Sequence, residues 1–207
     1  NPGMAMNVWR NIITMHRDAE VDIETNDNWT TITKTRCVDN RTNYIIVRID
    51  DNENDYKRCN VKSIEYEQYD VIVISDYNKG FLTESDIEYI AKNHSTTFLD
   101  TKKILGDWCK DIKFIKINEF EYDRTKHKLT PELIEKMIIT LGPKGARHRG
   151  VTFAVPEVEI KDTSGAGDTF VASLAANYAL TQDIFKAIES ANDSATKVVQ
   201  KKGVSVI

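Results

Sequence analysis

Residues 162–170 read Asp162-Thr163-Ser164-Gly165-Ala166-Gly167-Asp168-Thr169-Phe170, and an apolar run to Leu180 follows directly. That run is apolar on nearly all sides, which predicts a buried helix and not a surface helix. A glycine turn before a helix places unpaired backbone N–H groups and the positive end of the helix dipole at one point. The sequence therefore predicts an anion site at this turn, suited to phosphate.

Asp168 lies at the mouth of the predicted anion site. An ionised carboxylate only accepts hydrogen bonds, so Asp168 could take a proton from a hydroxyl while the N–H groups of the turn hold a phosphoryl group. The alternative is a glycine turn that enters a core helix, with Asp168 as a favourable charge at the helix start. A Walker loop is excluded, because no Gly-Lys-Ser/Thr follows the glycines.

Composition narrows the class of protein. The 207 residues carry a formal net charge of -4, and the Lys and Arg residues are scattered, which argues against a nucleic-acid partner. No apolar run is long enough for a membrane helix, and the first residues do not resemble a signal peptide. The odd, widely spaced set Cys37, Cys59 and Cys109 suggests a reducing compartment. We expect a cytoplasmic protein without a membrane partner.

The first 60 residues contain a helical pattern and a predicted hairpin. Val8, Trp9, Ile12 and Ile13 have helical spacing. Residues 16–29 are polar and predict at most one short strand, at 21–23. Residues 30–38 and 44–50 are rich in β-branched side chains and flank turn-forming residues 39–43, which predicts a hairpin with one apolar face. The acidic run at 50–55 predicts a solvated loop, because its spacing fits no metal-binding loop.

From residue 70 strands and helices alternate. Four strands are predicted at 71–75, 97–100, 114–117 and 138–141, with helices starting at Thr83 and at Thr130-Pro131. Residues 151–155 and 158–160 predict an antiparallel strand pair, and two helices close the chain. This alternation predicts a single α/β domain over residues 1–207, with a mainly parallel sheet between helices.

Each predicted parallel strand is followed by a polar loop, at 76–80, 101–103, 118–121 and 142–145. In sheets of this class, ligands bind beyond the carboxyl ends of the strands. The sequence therefore predicts that these loops and the glycine turn form one site.

The motifs together resemble the ribokinase-like family of sugar kinases. Residues 162–168 match that family's Asp-Thr-x-Gly-Ala-Gly-Asp signature, and Asn118-Glu119-Phe120-Glu121 resembles its Asn-x-x-Glu motif. Residues 140–145 resemble its nucleotide-binding strand and loop, and Asn192 matches the region near adenine. The resemblance implies a ribokinase-like three-layer sandwich with a small β-lid, formed here by residues 30–50.

The resemblance also implies cofactors and roles for individual residues. ATP and Mg²⁺ would be the cofactors, and Asp168 would be the catalytic base beside an anion hole made by Gly165, Ala166 and Gly167. Glu121 would help to hold the metal ion. The alternative is that Glu121 is an ordinary surface glutamate. The residues implied in nucleotide binding are Asn118, Thr140, Gly142, Gly145 and Asn192.

Within the family, the chain most resembles the kinase domain that phosphorylates heptose 7-phosphate in the ADP-heptose pathway. Thr31-Ile32-Thr33-Lys34-Thr35-Arg36 resembles that group's lid strand, and Ser75-Asp76-Tyr77-Asn78-Lys79-Gly80 resembles its Ser-Asp-Tyr-x-Lys-Gly loop. A sugar phosphate substrate is implied, and basic side chains at the site suit it. The residues implied in substrate binding are Gly3, Asn7, Lys34, Arg36, Asp76, Lys79 and Lys102. The alternatives are solvated lysines and arginines, and for Asp76 a role in capping its own loop.

The resemblance begins at Gly3-Met4-Ala5-Met6-Asn7, which matches the family's Gly-Gly-Ala-x-Asn motif with Met4 in place of a glycine. The family's first strand is not in this sequence, so we expect an N-terminally short domain. Two alternatives stay open, another sugar or nucleoside kinase and an inactive family fragment that serves as a binding or scaffold protein. The exposed lid edge predicts a homodimer.

Overall fold

The computed structural model describes residues 3–27, 29–42, 44–52 and 57–207. Residue 43 of the predicted turn and residues 53–55 of the predicted acidic loop lie outside these ranges. Asp50 and Asp51 do not belong to a loop, because both pair with the preceding strand of the hairpin.

The fold is an α/β sandwich with a separate hairpin, as the alternating pattern predicts. The six strands of the main sheet lie in the order in which they occur along the chain; the first four are parallel and the last two antiparallel. The strands are β1 Thr33–Val38, β2 Ile45–Asp51, β3 Ile72–Asp76, β4 Thr97–Thr101, β5 Phe114–Asn118, β6 Met137–Thr140, β7 Ala146–His148 and β8 Val151–Phe153. The helices are α1 Gly3–Met15, α2 Glu84–Asn93, α3 Glu119–Thr125, α4 Pro131–Lys136, α5 Ala166–Thr181 and α6 Ile184–Val199.

Two apolar cores lie on the two faces of the sheet. Successive strand residues point to opposite faces, so Leu99 packs toward α2 and α4 while Phe98 packs toward α5 and α6. Helix α5 is buried along most of its length, as the apolar run after the glycine turn predicts, and its Leu174 is fully enclosed. Burial of one such leucine contributes roughly 1.5–3 kcal/mol. Helix α1 packs on α5 through Val8.

The end of the main sheet differs from the sequence-based expectation. Strand β8 pairs with β7, and residues 158–160 form no strand. Arg149 and Gly150 join β7 to β8 with φ angles of 47° and 76°. Positive φ at both central residues marks the two-residue turn that suits the twist of a hairpin. Arg-Gly is a weaker turn signal than Asn-Gly, which explains why the sequence did not reveal β7.

Strands β1 and β2 form their own two-stranded antiparallel sheet, with an irregularity between Cys37 and Val38. This agrees with the predicted hairpin. Every residue of β2 is exposed in the single chain. Within the described ranges, no helix is both long and apolar enough to cross a membrane.

Candidate functional site

Strand register brings the polar residues together at one edge of the sheet. Asp76 pairs with Thr101, at the carboxyl ends of β3 and β4. One strand further, Asn118 of β5 pairs with Thr140 of β6. Because parallel strands end at the same edge, the polar loops that follow them lie side by side. The start of α5 places the glycine turn and Asp168 at this edge. There, charged side chains of β4 and β5 act on the carboxylate of Asp168.

Asp168 lies in the first turn of α5 and is half-buried. Its Oδ2 accepts a hydrogen bond of 2.8 Å from Nδ2 of Asn7, which lies 161 positions earlier in the chain. Burial raises the pKa of Asp168 to about 6, the hydrogen bond from Asn7 opposes this rise, and the negative charge of Asp100 adds to it. The carboxylate is therefore held in place by one oxygen and titrates near neutral pH, which suits a proton acceptor.

Asn7 is itself fixed by buried neighbours. Asn11 is fully enclosed and donates from Nδ2 to the backbone oxygen of Asn7 at 2.8 Å. The Oδ1 of Asn11 accepts from the hydroxyl of Thr169 at 3.2 Å. These bonds join α1 to the first turn of α5, so the partner of Asp168 has little freedom to move.

The glycine turn adopts the geometry that the anion-site prediction requires. Gly165 has a φ of 85°, which favours glycine, and no side chain in the described ranges caps the start of α5. The backbone N–H of Ala166 donates to the oxygen of Thr163 inside the turn. Among the described residues, the N–H groups of Gly165, Gly167 and Asp168 have no acceptor. Those three donors are available to bind an anion, and Ala166 belongs to the turn that presents them.

A buried ion pair lies behind the glycine turn. Nζ of Lys116 contacts Oδ2 of Asp100 at 2.9 Å, and the two residues are only 4% and 1% exposed. A β-carbon placed on Gly167 would lie 3.0 Å from this Nζ, so the ammonium abuts the turn. Burial alone would lower the pKa of Lys116, but the charge and hydrogen bond of Asp100, together with the charges of Glu121 and Asp168, outweigh burial and hold this pKa above its usual value.

The Asn-x-x-Glu motif forms a capping box at the start of α3. Oδ1 of Asn118 accepts from the N–H of Glu121 at 2.8 Å, and Oε2 of Glu121 accepts from the N–H of Asn118 at 2.9 Å. The other oxygen of Glu121, Oε1, pairs with Nζ of Lys102. The structure thus brings together three residues that the sequence assigned separately to nucleotide, metal and substrate.

The side chains at the candidate site fit magnesium only if the ion is held through bound waters and substrate phosphates. In the described part of the chain, no group of three His, Cys, Asp or Glu side chains could enclose a metal ion. Both oxygens of Glu121 already have partners, although each keeps a second lone pair. Magnesium usually keeps several waters and is held by one or two carboxylates and by substrate phosphates. Glu121 fits the role of a carboxylate that accepts from a metal-bound water.

The predicted nucleotide-binding residues of β6 and α6 have partners within the fold. Thr140 donates to the backbone oxygen of Ile117 at 3.3 Å. Asn192 is buried and donates to the backbone oxygen of Phe153 at 2.8 Å. A β-carbon on Gly145 would lie 2.0 Å from that same oxygen, and Gly145 has a φ of 88°. Gly142 also has a positive φ, of 60°, and starts the turn after β6.

Asp76 has its whole carboxylate engaged inside the protein. Oδ2 accepts from the hydroxyl of Thr101 at 2.8 Å and from Nζ of Lys103 at 2.9 Å, while Oδ1 accepts from the N–H of Asn78 at 3.0 Å. Asp76 is 5% exposed. These contacts favour the alternative of a loop anchor over a substrate ligand.

Three of the basic residues assigned to the substrate, Lys34, Arg36 and Lys79, lie on the hairpin or act on its charges. Nζ of Lys34 lies 5.4 Å from the centre of the Tyr77 ring. Partial burial, and after it the charge of Asp168, raise the pKa of Tyr77 to about 12. The charges of Lys34 and Lys79 act on Asp50 of β2. The charge of Arg36, which is exposed, acts on Asp162.

A cavity of about 1250 Å³ lies beside the edge strand β3, and Asp168 is not among its lining residues. Apolar side chains such as Trp9 and Ile72 line much of it, which does not suit a sugar phosphate. Gly3, Lys34 and Lys79 lie on its wall. We therefore locate the candidate site from the polar residues at the carboxyl edge of the sheet and not from the size of the cavity.

Several residues that surround the candidate site were not predicted from the sequence. Lys116 was treated as part of an apolar strand, although a lysine inside the run Phe114-Ile115-Lys116-Ile117 needs a buried anion as partner, which was a usable signal. Lys103 was passed over in favour of its neighbour Lys102. Asn11 and Thr169 gave no local signal, because their contact joins distant parts of the chain.

Comparisons with known proteins identify the family. The sequence profile described as "pfkB family carbohydrate kinase" matches residues 10–206, which is nearly the whole chain. The bifunctional protein HldE of Nitratiruptor sp. is 29% identical over 204 residues, and the match covers 86% of this chain and 44% of that protein. The chain thus spans less than half the length of the curated relatives it matches.

Solved structures support the fold. Ribokinase from Thermotoga maritima superposes with a TM-score of 0.62 at 18% identity, covering 81% of this chain and 62% of that one. Ribokinase from Arabidopsis thaliana, solved with ribose and ATP, gives a TM-score of 0.55 at 22% identity, over 67% of this chain and 52% of that one. The predicted resemblance to ribokinase-like kinases, with heptose 7-phosphate kinase domains among them, is confirmed. The chain belongs to the pfkB family of carbohydrate kinases.

Proposed function

We propose that this chain is an ATP-dependent kinase that transfers the γ-phosphoryl group to a hydroxyl of a sugar phosphate. One observation carries the proposal: the half-buried carboxylate of Asp168 lies at the same helix start as three N–H groups that have no acceptor among the described residues. A proton acceptor and an anion site at one point are what transfer of a phosphoryl group to an alcohol requires.

Asp168 takes the proton from the attacking hydroxyl. Its Oδ2 is held by Asn7, and Oδ1 has no partner among the described residues, so Oδ1 accepts the proton. The hydroxyl oxygen forms a bond to the γ-phosphorus as the bond to the β-γ bridging oxygen breaks, and ADP leaves with the electron pair. The N–H groups of Gly165, Gly167 and Asp168 hold the charge on the phosphoryl oxygens, and the dipole of α5 adds to them.

The nucleotide is assigned to the turns beyond β5 and β6. Asn118 and Thr140 lie next to each other there, and the conformations of Gly142 and Gly145 let the backbone approach phosphates or ribose closely. Asn192 supports the adjoining wall through Phe153. Magnesium, bound with the nucleotide, would neutralise phosphate charge. Glu121 would accept from one of its waters, and Lys102 would balance the charge of Glu121.

A sugar phosphate, and within that class heptose 7-phosphate, is the proposed substrate. Support comes from the HldE relatives and from the basic residues Lys34, Arg36 and Lys79 around the hairpin. The hairpin would act as a lid that brings these charges to the substrate phosphate, with Tyr77 as its contact to the body of the domain. Gly3 and Asn7 would face the sugar, although Asn7 also holds the base. Asp76 would act only by shaping its loop.

The test measures ADP formation with ATP, Mg²⁺ and a panel of acceptors. The panel contains heptose, heptose 7-phosphate, ribose, fructose 6-phosphate and a nucleoside. The proposal expects kcat/KM to be highest for the 7-phosphate and to fall when that phosphate is absent. A preference for an unphosphorylated sugar or nucleoside would replace the substrate but keep the reaction. No turnover with any acceptor would contradict the proposed function.

A further inference from the structure

We infer that Lys116 supplies a fixed positive charge to the phosphoryl-transfer site from behind the glycine turn, and that Asp100 holds it there. This inference rests on the proposed function and adds two positioning residues to it. Neither residue was assigned a role on the basis of sequence or family.

Lys116 lies close to the glycine turn. Nζ of Lys116 lies 3.0 Å from the point that a β-carbon on Gly167 would occupy, so a side chain at this position would press on the ammonium. The backbone of Gly167 supplies one of the three N–H groups that have no acceptor within the described part of the chain. A cation beneath those donors adds to their field at the point where phosphoryl charge would accumulate.

The charged groups around Lys116 also support this role. Besides Asp100, the carboxylates whose charges act on Lys116 are Glu121 and Asp168, the candidates for the metal and for the base. The charge of Lys116 therefore acts on both carboxylates to which the proposed function gives a role. In a buried, low-dielectric position a unit charge acts more strongly on its neighbours than it does in water.

The ion pair of Lys116 and Asp100 leaves some of its donors and acceptors without partners among the described residues. An ammonium has three donors, yet among the described residues its one hydrogen-bond partner is Oδ2 of Asp100. Oδ1 of Asp100 is buried and also has no partner in the described structure. A pair that served stability alone would be expected to satisfy these groups, because buried unpaired charge is costly. An ion pair that interacts with a charged ligand needs such hydrogen-bonding groups to be available.

The test separates charge from stability with neutral variants of similar shape. Lys116→Met alone leaves Asp100 buried without its partner, so it is expected to destabilise the fold. Lys116→Met combined with Asp100→Asn removes both charges and is expected to keep a melting temperature near that of the wild type. Lys113→Met is the matched control, since Lys113 precedes the same strand but lies over the ring of Tyr178, away from the site.

The inference expects the double neutral variant to fold, yet to lose about 100-fold or more in kcat. Its affinity for a non-hydrolysable ATP analogue, measured by calorimetry, should fall more than its affinity for ADP, because the charge acts on the γ-phosphoryl group. Lys116→Arg should recover part of the loss, and Lys113→Met should match the wild type in both assays.

A double neutral variant with wild-type kcat and an unchanged preference for the ATP analogue over ADP would overturn the inference while the proposed function stood. A wild-type protein that neither binds nucleotide nor turns over any sugar would overturn the proposed function and this inference with it.

Discussion

At the scale of the residue, the pair Asn7–Asp168 sets the chemistry of the site. Burial and the charge of Asp100 favour the protonated form of Asp168, while the hydrogen bond from Asn7 and the charges of Lys116 and Lys102 favour the ionised form. The balance gives a pKa of about 6. A base must be ionised to accept a proton, so activity should depend on pH just below neutrality.

The first prediction concerns this pH dependence. In the wild type, kcat/KM should fall as pH drops through about 6, because Asp168 becomes protonated. Asn7→Ala removes a hydrogen bond that stabilises the ionised form, so the acidic limb should move to higher pH. The measurement is kcat/KM from pH 5 to 9 for both proteins. An acidic limb near the ordinary aspartate pKa, or one that Asn7→Ala leaves in place, would contradict this account of Asp168.

The second prediction concerns Gly145. Its φ of 88° is unfavourable for other residues, and a β-carbon would meet the backbone oxygen of Phe153 at 2.0 Å. Gly80, at φ 101°, has no described atom within 4 Å of the same point, so Gly80→Ala introduces strain without a clash in the described structure. Backbone strain of this kind costs about 1–3 kcal/mol. Gly145→Ala should lower the free energy of unfolding in urea clearly further than Gly80→Ala, and equal losses would refute the close contact.

At the scale of the element, the helix starts show how a motif serves structure and site together. Helix α3 begins with a capping box formed by Asn118 and Glu121, and α4 begins with Thr130, whose hydroxyl accepts from Leu133. Asn-x-x-Glu fits the spacing of a capping box, a recognised signature of a helix start. The sequence analysis treated the motif only as a ligand site, and α3 was therefore missed.

The third prediction compares these two caps. Asn118→Ala and Thr130→Ala should each cost about 1 kcal/mol in unfolding free energy. Only Asn118→Ala should also lower activity, because it releases the backbone contact that orients Glu121 at the site. Urea unfolding and steady-state kinetics of both variants provide the measurement. Equal kinetics for the two variants would show that the α3 cap has no part in the reaction.

The β1–β2 hairpin carries exposed apolar side chains on both of its faces. The exposed fractions are 72% for Tyr44, 68% for Ile46 and 49% for Ile49. An edge of this kind favours pairing with another copy of the chain, which supports the proposed homodimer. The hairpin could be recognised from its β-branched composition, but its partner could not be identified that way.

The fourth prediction tests that partner. Ile46→Lys should shift the protein from dimer to monomer in sedimentation velocity, because a buried lysine without an anion opposes association. Leu180→Lys is the control, since Leu180 is 70% exposed at the end of α5 and away from the hairpin. A wild-type protein that sediments as a monomer, or an Ile46→Lys variant that remains dimeric, would exclude the hairpin as the dimer interface.

At the scale of the whole molecule, most of the fold could be predicted and part of the site could not. Continuous apolar runs such as residues 71–75 mark strands covered on both faces, and the mainly parallel sheet follows from repeated βα units. The contacts of Asp168 with Asn7 and of Lys116 with Asp100 depend on packing between distant segments, which local patterns do not encode. Strand β7 escaped notice because its turn, Arg149-Gly150, lacks the usual composition.

The fifth prediction concerns stability of the whole fold against acid. His148 is buried beside Phe114 and Phe185, and burial lowers its pKa. The unfolded chain therefore binds this proton more readily, so the contribution of His148 to stability is present above about pH 6.5 and is lost as pH falls through its lowered pKa. His148→Gln should lose less melting temperature between pH 7.5 and 5 than the wild type does. An identical loss in both proteins would rule out His148 as the source.

The central claim is that Asp168 accepts the hydroxyl proton beside a site that binds phosphate. The most direct measurement is a pair of experiments on Asp168→Asn, the turnover number with the best sugar phosphate and calorimetric binding of ATP. The account predicts that kcat falls by about 100-fold or more, while ATP affinity and melting temperature stay close to wild type. A variant that binds ATP normally and keeps kcat within a few-fold of the wild type would contradict it.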